Sequence, residues 1–198
     1  FLGGGGGGGG VPPDEGDVVA RLTSQIAGGT EFIVPMGERA DPQTVQFGNH
    51  VDTEPVGVLA WEATRIASGI PRIGLDTDAR TIPNEIGLYA THLDKGCYRG
   101  QETVARVHNL GRPPRRLTML MLDGSDAELP DPGASVILEG RKVGQLGGVA
   151  MHHELGPVGL ALLKRNVSVD AVPTVDGVAA SQTILVDSEV GLHVRPQL

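Results

Sequence analysis

Apolar residues recur along this chain at two different periods, and the change of period divides it. Val56, Leu59, Ala60, Ala63, Ile66 and Ala67 fall three and four apart, which predicts an amphipathic helix that Thr53 caps and Gly69 stops. Trp61 and Glu62 fall toward its other side, and the apolar face is expected in the core. Upstream, Val18, Val19, Leu22 and Ile26 have helical spacing and predict an earlier helix from Asp14 or Asp17, with acids in its first turn and Gly28-Gly29 at its end. Glu31 to Val34 reads as a short strand, with Pro35 marking an edge or an end. Ala40 to Thr53 is polar and turn-rich, a connection with one short strand around Thr44 to Phe47.

From Arg116 the period shortens. Leu117 to Leu122 is a β-rich run, Asp123-Gly124 a turn and Ala134 to Leu138 a strand. Glu139-Gly140-Arg141 makes a hairpin turn into Val143 to Ala150, and strands over Gly156 to Leu163 and Thr183 to Val186 complete the series. Short strands separated by turn signals at this regular interval predict a small antiparallel barrel or sandwich. Between helix and strands, Gly74 to Pro83 carries few apolar residues, and so long an irregular connection points to function. Ile86, Leu88, Tyr89 and Leu93 offer apolar surface to anchor it against the helix.

At the end of that connection stands Lys95-Gly96-Cys97-Tyr98-Arg99-Gly100-Gln101-Glu102, which holds the only cysteine of the chain. Gly96 and Gly100 allow positive φ on either side of the thiol, so a tight excursion can expose it. From Gln101 the pattern turns helical, with Val104, Ala105 and His108 on one face and Gly111 as a stop. Cys97 then lies just ahead of a helix N-terminus, whose partial charge favours thiolate over thiol together with Lys95. The alternative stands beside it: a free cysteine is commonly a small buried hydrophobe.

Composition narrows the setting. A chain of 198 residues can bury a substantial core in one or two domains. Gly3 to Gly10 is an unbroken octaglycine with no strand before it and no Gly-Lys-Ser/Thr after it, so it reads as a flexible linker or placeholder rather than a phosphate loop. One cysteine excludes an internal disulfide, and neither a membrane span nor a signal peptide is visible, which predicts a cytoplasmic protein. The net charge of −8 opposes broad nucleic-acid binding. Arg99, Arg106, Arg112, Arg115 and Arg116 nevertheless fall in one window, either a solvated basic face or a local anion site for a polyglutamate tail, a phosphate or a narrow RNA contact.

The string Lys-Gly-Cys-Tyr-X-Gly-Gln-Glu with Thr103-Val104-Ala105-Arg106 behind it resembles the signature of the YgfZ family of folate-binding proteins, relatives of the glycine-cleavage T-protein, an aminomethyltransferase. Arg65 to Arg72 with Gly74, Ile82 to Glu85, and Gly144 through Lys164 agree with it in order. The resemblance runs from about Val51 to the C-terminus and fades upstream. It implies an α+β architecture: the remnant of an α/β T-protein-like folate-binding domain over residues 11–115, its first part absent, followed by a C-terminal antiparallel β-barrel over 116–198.

The resemblance also implies tetrahydrofolate or a one-carbon derivative as cofactor, and a role in assembling or repairing iron-sulfur enzymes, including those that modify tRNA. Folate, iron-sulfur enzymes and their assembly factors are then the expected partners. Cys97 would be the reactive thiol and Lys95 its activator. Tyr98, Arg99, Gly100, Gln101, Glu102 and Arg106 would form the binding stretch, with Gln101 and Glu102 capping the loop. Glu62 and Glu85 are acceptors suited to the amide and amino edge of a pterin. Two other readings stay open: a folate-dependent aminomethyltransferase, whose catalytic aspartate has no counterpart here, and a non-catalytic protein-binding module with Cys97 buried. His152-His153-Glu154 lacks metal-ligand spacing and reads as a loop. His92 and Asp94 precede the cysteine without any spacing that sets a base against it.

Overall fold

Six antiparallel strands close on themselves at the C-terminal side of the chain, and one helix lies across their outer face. The computed structural model describes residues 20–23, 30–33, 56–88, 96–110, 113–124 and 128–186. In chain order the elements are β1 (Ala20–Thr23), β2 (Thr30–Ile33), α1 (Val58–Ala67), α2 (Gln101–Leu110), β3 (Arg115–Leu122), β4 (Ser135–Leu138), β5 (Arg141–His152), β6 (Gly156–Lys164), β7 (Thr174–Val175) and β8 (Val178–Ile184). A 3-10 turn over Pro83–Ile86 lies between the two helices. The barrel order is β3-β6-β5-β4-β7-β8, with β8 returning to β3 through Thr118↔Ile184 to Leu122↔Ala180. Closure leaves the barrel itself without a sheet edge. This is the α+β architecture with a C-terminal barrel that the resemblance implies, and of the barrel or sandwich that the strand pattern predicts it is the barrel.

Two apolar clusters explain why β3 and β6 read as continuous apolar runs instead of alternating. Leu120, Leu122, Val136, Leu146, Ala161, Leu163, Val175 and Ala180 come from all six strands and fill the barrel interior. The intervening residues Leu117, Met119, Val158, Leu160 and Leu162 form the other cluster, with Ala63 and Ile66 of α1 and with Ala150 and Val186. Strands covered on both faces need apolar residues at successive positions. Ile86 packs against this second cluster, as expected of an anchor, whereas Leu88 is half exposed.

One end of the barrel interior is polar. Arg116 is 1% exposed and donates through Nη1 to the Arg165 carbonyl at 3.0 Å, and through Nη2 to the Val167 carbonyl at 3.0 Å and Gln182 Oε1 at 3.1 Å. Gln182 Nε2 in turn donates to the carbonyls of Ser168 and Ala171 at 2.9 and 2.7 Å, so the pair ties the 165–171 segment to the barrel. Burial, followed by the proximity of Arg165, pushes the Arg116 guanidinium below its ordinary range.

Several sequence expectations need correction. Where a helix was expected from Asp14 or Asp17, Ala20–Thr23 is a strand, paired antiparallel from Ala20↔Ile33 to Thr23↔Thr30. Pairing with Thr30–Ile33, whose ends are β-branched, overrides a weak helical period. The helix α1 is capped at Gly57 and not at Thr53, and ends at Ser68 with Gly69 at φ +71°. Its apolar stripe is only half used: Ala63 and Ile66 are buried, while Val56 and Leu59 are 51% and 78% exposed. The final strand runs over Val178–Ile184 rather than Thr183 to Val186, and the two-residue β7 is too short to leave a periodic signal. The octaglycine and the strand expected around Thr44 to Phe47 lie outside the described residues.

The two halves of the α1 stripe therefore differ sharply in energetic weight. Ile66→Ala is expected to cost about 2–5 kcal/mol in urea unfolding, and Leu59→Ala to stay within about 0.5 kcal/mol of the parent. Equal costs would show that the helix is seated differently.

Candidate functional site

The irregular segment that follows α1 is organised by charge. Asp76 is 4% exposed, and its Oδ2 accepts from Arg65 Nη1 at 2.8 Å and from the Arg72 amide at 2.7 Å. Its Oδ1 accepts from the Gly148 amide at 2.6 Å, across 72 residues of sequence. That amide is free of the ladder because β5 bulges there: its register against β6 shifts between Leu146 and Val149. Gly147 and Gly148 admit the segment, since a Cβ on Gly147 would stand 2.7 Å from Asp76 Cα and one on Gly148 2.7 Å from Arg65 Nη2.

Arg65 completes this cluster. Its Nη2 and Nε donate to Glu62 Oε2 at 2.7 and 3.2 Å, and its guanidinium lies 5.9 Å from the Trp61 ring centroid. Glu62 Oε1 accepts from Arg72 Nη1 at 2.7 Å, a contact made by a side chain that is 54% exposed. Two arginines thus balance two carboxylates. Burial alone would raise the Glu62 carboxyl, but the hydrogen bonds and charges of Arg65 and Arg72 outweigh it and hold the group below its ordinary range.

Glu85 organises a second cluster around Arg115. Glu85 is fully buried; its Oε1 and Oε2 accept from Arg115 Nε and Nη2, each at 2.9 Å, and Oε2 also accepts from the Ile82 amide at 3.1 Å. Asp78 takes the other side of the guanidinium through Oδ2 at 2.6 Å and Oδ1 at 3.1 Å. Hydrogen bonding to Glu85, then to Asp78, holds Arg115 charged above its ordinary range, and the bond from Arg115 holds Asp78 far below the usual carboxylate value. Hence Arg115 and Arg116 do not form part of a common basic face with Arg99. One is chelated and the other plugs the barrel, because successive residues of a strand point to opposite faces. Arg112 lies outside the described residues.

The cysteine stretch takes the expected shape in part. Cys97 is exposed, Tyr98 half buried and Arg99 exposed. Gly100 adopts φ +83° with open space around it, while Gly96 does not use the left-handed region. The chain then enters α2 with the Gln101 amide donating to the Tyr98 carbonyl at 3.2 Å and the Val104 amide to Gly100 at 3.1 Å. Val104 is buried and Glu102 exposed. Glu102 stands in the first turn of α2. Lys95, His92, Asp94 and the side chain of Arg106 lie outside the described residues.

His152 and His153 sit at the β5–β6 hairpin as expected of loop residues, with ring centroids 4.4 Å apart and His152 Nδ1 accepting from the Glu154 and Leu155 amides. Among the described residues no group of three His, Cys, Asp or Glu side chains could hold a metal, and no helix is long and apolar enough to cross a membrane. The amino-acid pattern gave no role to Arg65 or Asp76, and it grouped Arg115 with a basic window instead of with Asp78 and Glu85. The signal that could have found them is the Gly147-Gly148 pair inside a strand pattern, which asks what approaches that backbone.

No family model matches the chain. Over 93 residues, 46% of the chain and 21% of the relative, it is 37% identical to a chloroplastic protein of Arabidopsis thaliana named as a transferase. It is 36% identical over 80 residues to the tRNA-modifying protein YgfZ of Colwellia psychrerythraea, and 37% identical over 82 residues to that of Escherichia coli. Those stretches cover 39% and 40% of this chain and 24% of each relative. The chain is thus related in sequence to the YgfZ proteins over part of its length. It matches about a quarter of the length of these curated relatives. One relative is chloroplastic, so kinship does not fix the cytoplasm as the compartment.

The carboxylates of Glu62 and Asp78 are depressed in the folded chain, so the unfolded chain binds their protons first. Their stabilisation is present above the unfolded values of 4.5 and 3.8 and is lost as pH falls below them. Thermal unfolding is expected to move to lower temperature between about pH 5 and pH 2.5, and Glu62→Gln to start less stable at pH 6 and lose less on acidification. A variant with the parental pH slope would contradict the assignment.

Proposed function

We propose that this chain is part of a tetrahydrofolate-binding accessory protein of YgfZ type that serves the upkeep of iron-sulfur enzymes, those that modify tRNA among them. The observation that carries the reading is Cys97, an exposed thiol on the turn that enters α2, within the string Lys95 to Glu102. Kinship with proteins named for tRNA modification supports the same direction. In this reading residues 11–115 belong to the folate-binding part and 116–198 to the barrel. Residues 1–10 are a linker.

Cys97 is the reactive group, with Lys95 as its neighbour in sequence. Tyr98, Arg99, Gly100, Gln101, Glu102 and Arg106 supply the contact surface. Tetrahydrofolate presents donors on its pterin edge, and Glu62 is fitted to accept them: its side chain is 14% exposed, and the Arg72 side chain that covers Oε1 is itself largely in solvent and displaceable. Glu85 differs, since it is fully buried and both of its oxygens are already engaged by Arg115, with Oε2 also accepting from the Ile82 amide. It acts here as the support that fixes the segment leading to the cysteine. When bound, the folate supplies a one-carbon carrier; the chain supplies the acceptor carboxylate and the accessible sulfur.

The test pairs two measurements on the 198-residue chain. Cys97 should react with a thiol reagent in the native state at a rate close to that in denaturant, and Cys97→Ser should leave stability within about 0.5 kcal/mol of the parent. Tetrahydrofolate should bind saturably by equilibrium dialysis, with Glu62→Gln weakening it about tenfold. An unreactive native thiol, or an absence of saturable folate binding, would overturn the proposal.

A further inference from the structure

Beside the clusters already described, a cleft of about 440 Å³ opens between the Leu75–Arg80 segment and strands β5 and β6. Its wall carries two carboxylates, Asp76 and Asp78, and four cations, Arg80, Arg115, Lys142 and Lys164. Both carboxylates are engaged: Asp76 accepts from three donors, and Asp78 is chelated by Arg115, which Glu85 also holds. Among the described residues, Arg80, Lys142 and Lys164 form no ion pair with a protein carboxylate. Lys164 Nζ donates to the Lys142 carbonyl at 3.0 Å, which holds the two lysines, both lining the cleft, side by side.

This excess of positive charge stands against a chain whose net charge is −8. Cations gathered in a concavity focus their field on whatever enters it, and the volume lies within the range of small-ligand sites. We propose that this cleft binds a small polyanion, a compound carrying consecutive phosphate or carboxylate groups, through Arg80, Lys142 and Lys164. The site stands on the barrel flank and does not depend on Cys97 or on folate binding. Arg115, held rigid by two carboxylates, shapes its floor.

Isothermal titration of the full chain at constant ionic strength, with inorganic triphosphate and separately with tri-γ-glutamate, tests the assignment. At least one probe is expected to bind saturably at a single site, and the tighter of the two identifies the ligand as a phosphate or a carboxylate compound. The Lys142→Ala/Lys164→Ala double variant, at two exposed positions that the fold does not need, should weaken that binding at least about tenfold. Arg141→Ala, which removes an exposed cation outside the cleft, should leave it unchanged. Absence of saturable binding by both probes, or an equal loss in Arg141→Ala, would overturn the proposal.

Discussion

The buried carboxylate of Asp76 joins the helix and its following loop to the barrel. Asp76 sits where the segment after α1 meets the bulge of β5, and it receives one hydrogen bond from a helix side chain, one from its own loop backbone and one from a barrel amide. A buried charge left unpaired would be strongly unfavourable, so the three donors have to be supplied together. Each of them fixes a different element. Arg65 sets the rotation of α1, the Arg72 amide closes the loop, and Gly148 holds both against the barrel.

The rest of the candidate site follows from that anchoring. With Asp76 fixed, Arg65 is directed at Glu62, and Glu62 at Arg72. The chain then continues into the Asp78–Arg115–Glu85 cluster, which secures the turn over Pro83–Ile86 to the start of β3. Apolar packing of Ala63 and Ile66 on β5 and β6 supplies the affinity of the helix for the barrel, and the ionic contacts determine its orientation. In sequence the cysteine turn lies between the Pro83–Ile86 turn and β3, with its exposed thiol at the entry to α2.

Much of the fold was legible in the chain itself. The barrel strands announced themselves because turn residues such as Glu139-Gly140 interrupt them regularly, and α1 because Ala63 and Ile66 keep helical spacing. The β1–β2 pairing was not legible, since four-residue strands lack the length to show a period and the long-range ladder decides them. Val56 and Leu59 were misplaced because periodicity identifies an apolar stripe and not how far a neighbour extends along it. Of the site, the cysteine turn could be read from Gly100, whereas the pairings of Asp76 and Arg115 could not. Both join residues tens of positions apart, and charge type alone leaves the partner undetermined. Arg115 and Arg116 show this well: adjacent in sequence, they serve opposite faces of one strand.

The fold depends on Asp76 joining the loop to the barrel. Amide hydrogen exchange at Gly148, measured in the parent chain and in Asp76→Ala alongside urea unfolding, addresses it most directly. The parent amide should exchange only through global opening, and the variant should lose that protection and about 3–5 kcal/mol of stability. A Gly148 amide that exchanges as slowly in the variant as in the parent, with stability unchanged, would contradict it.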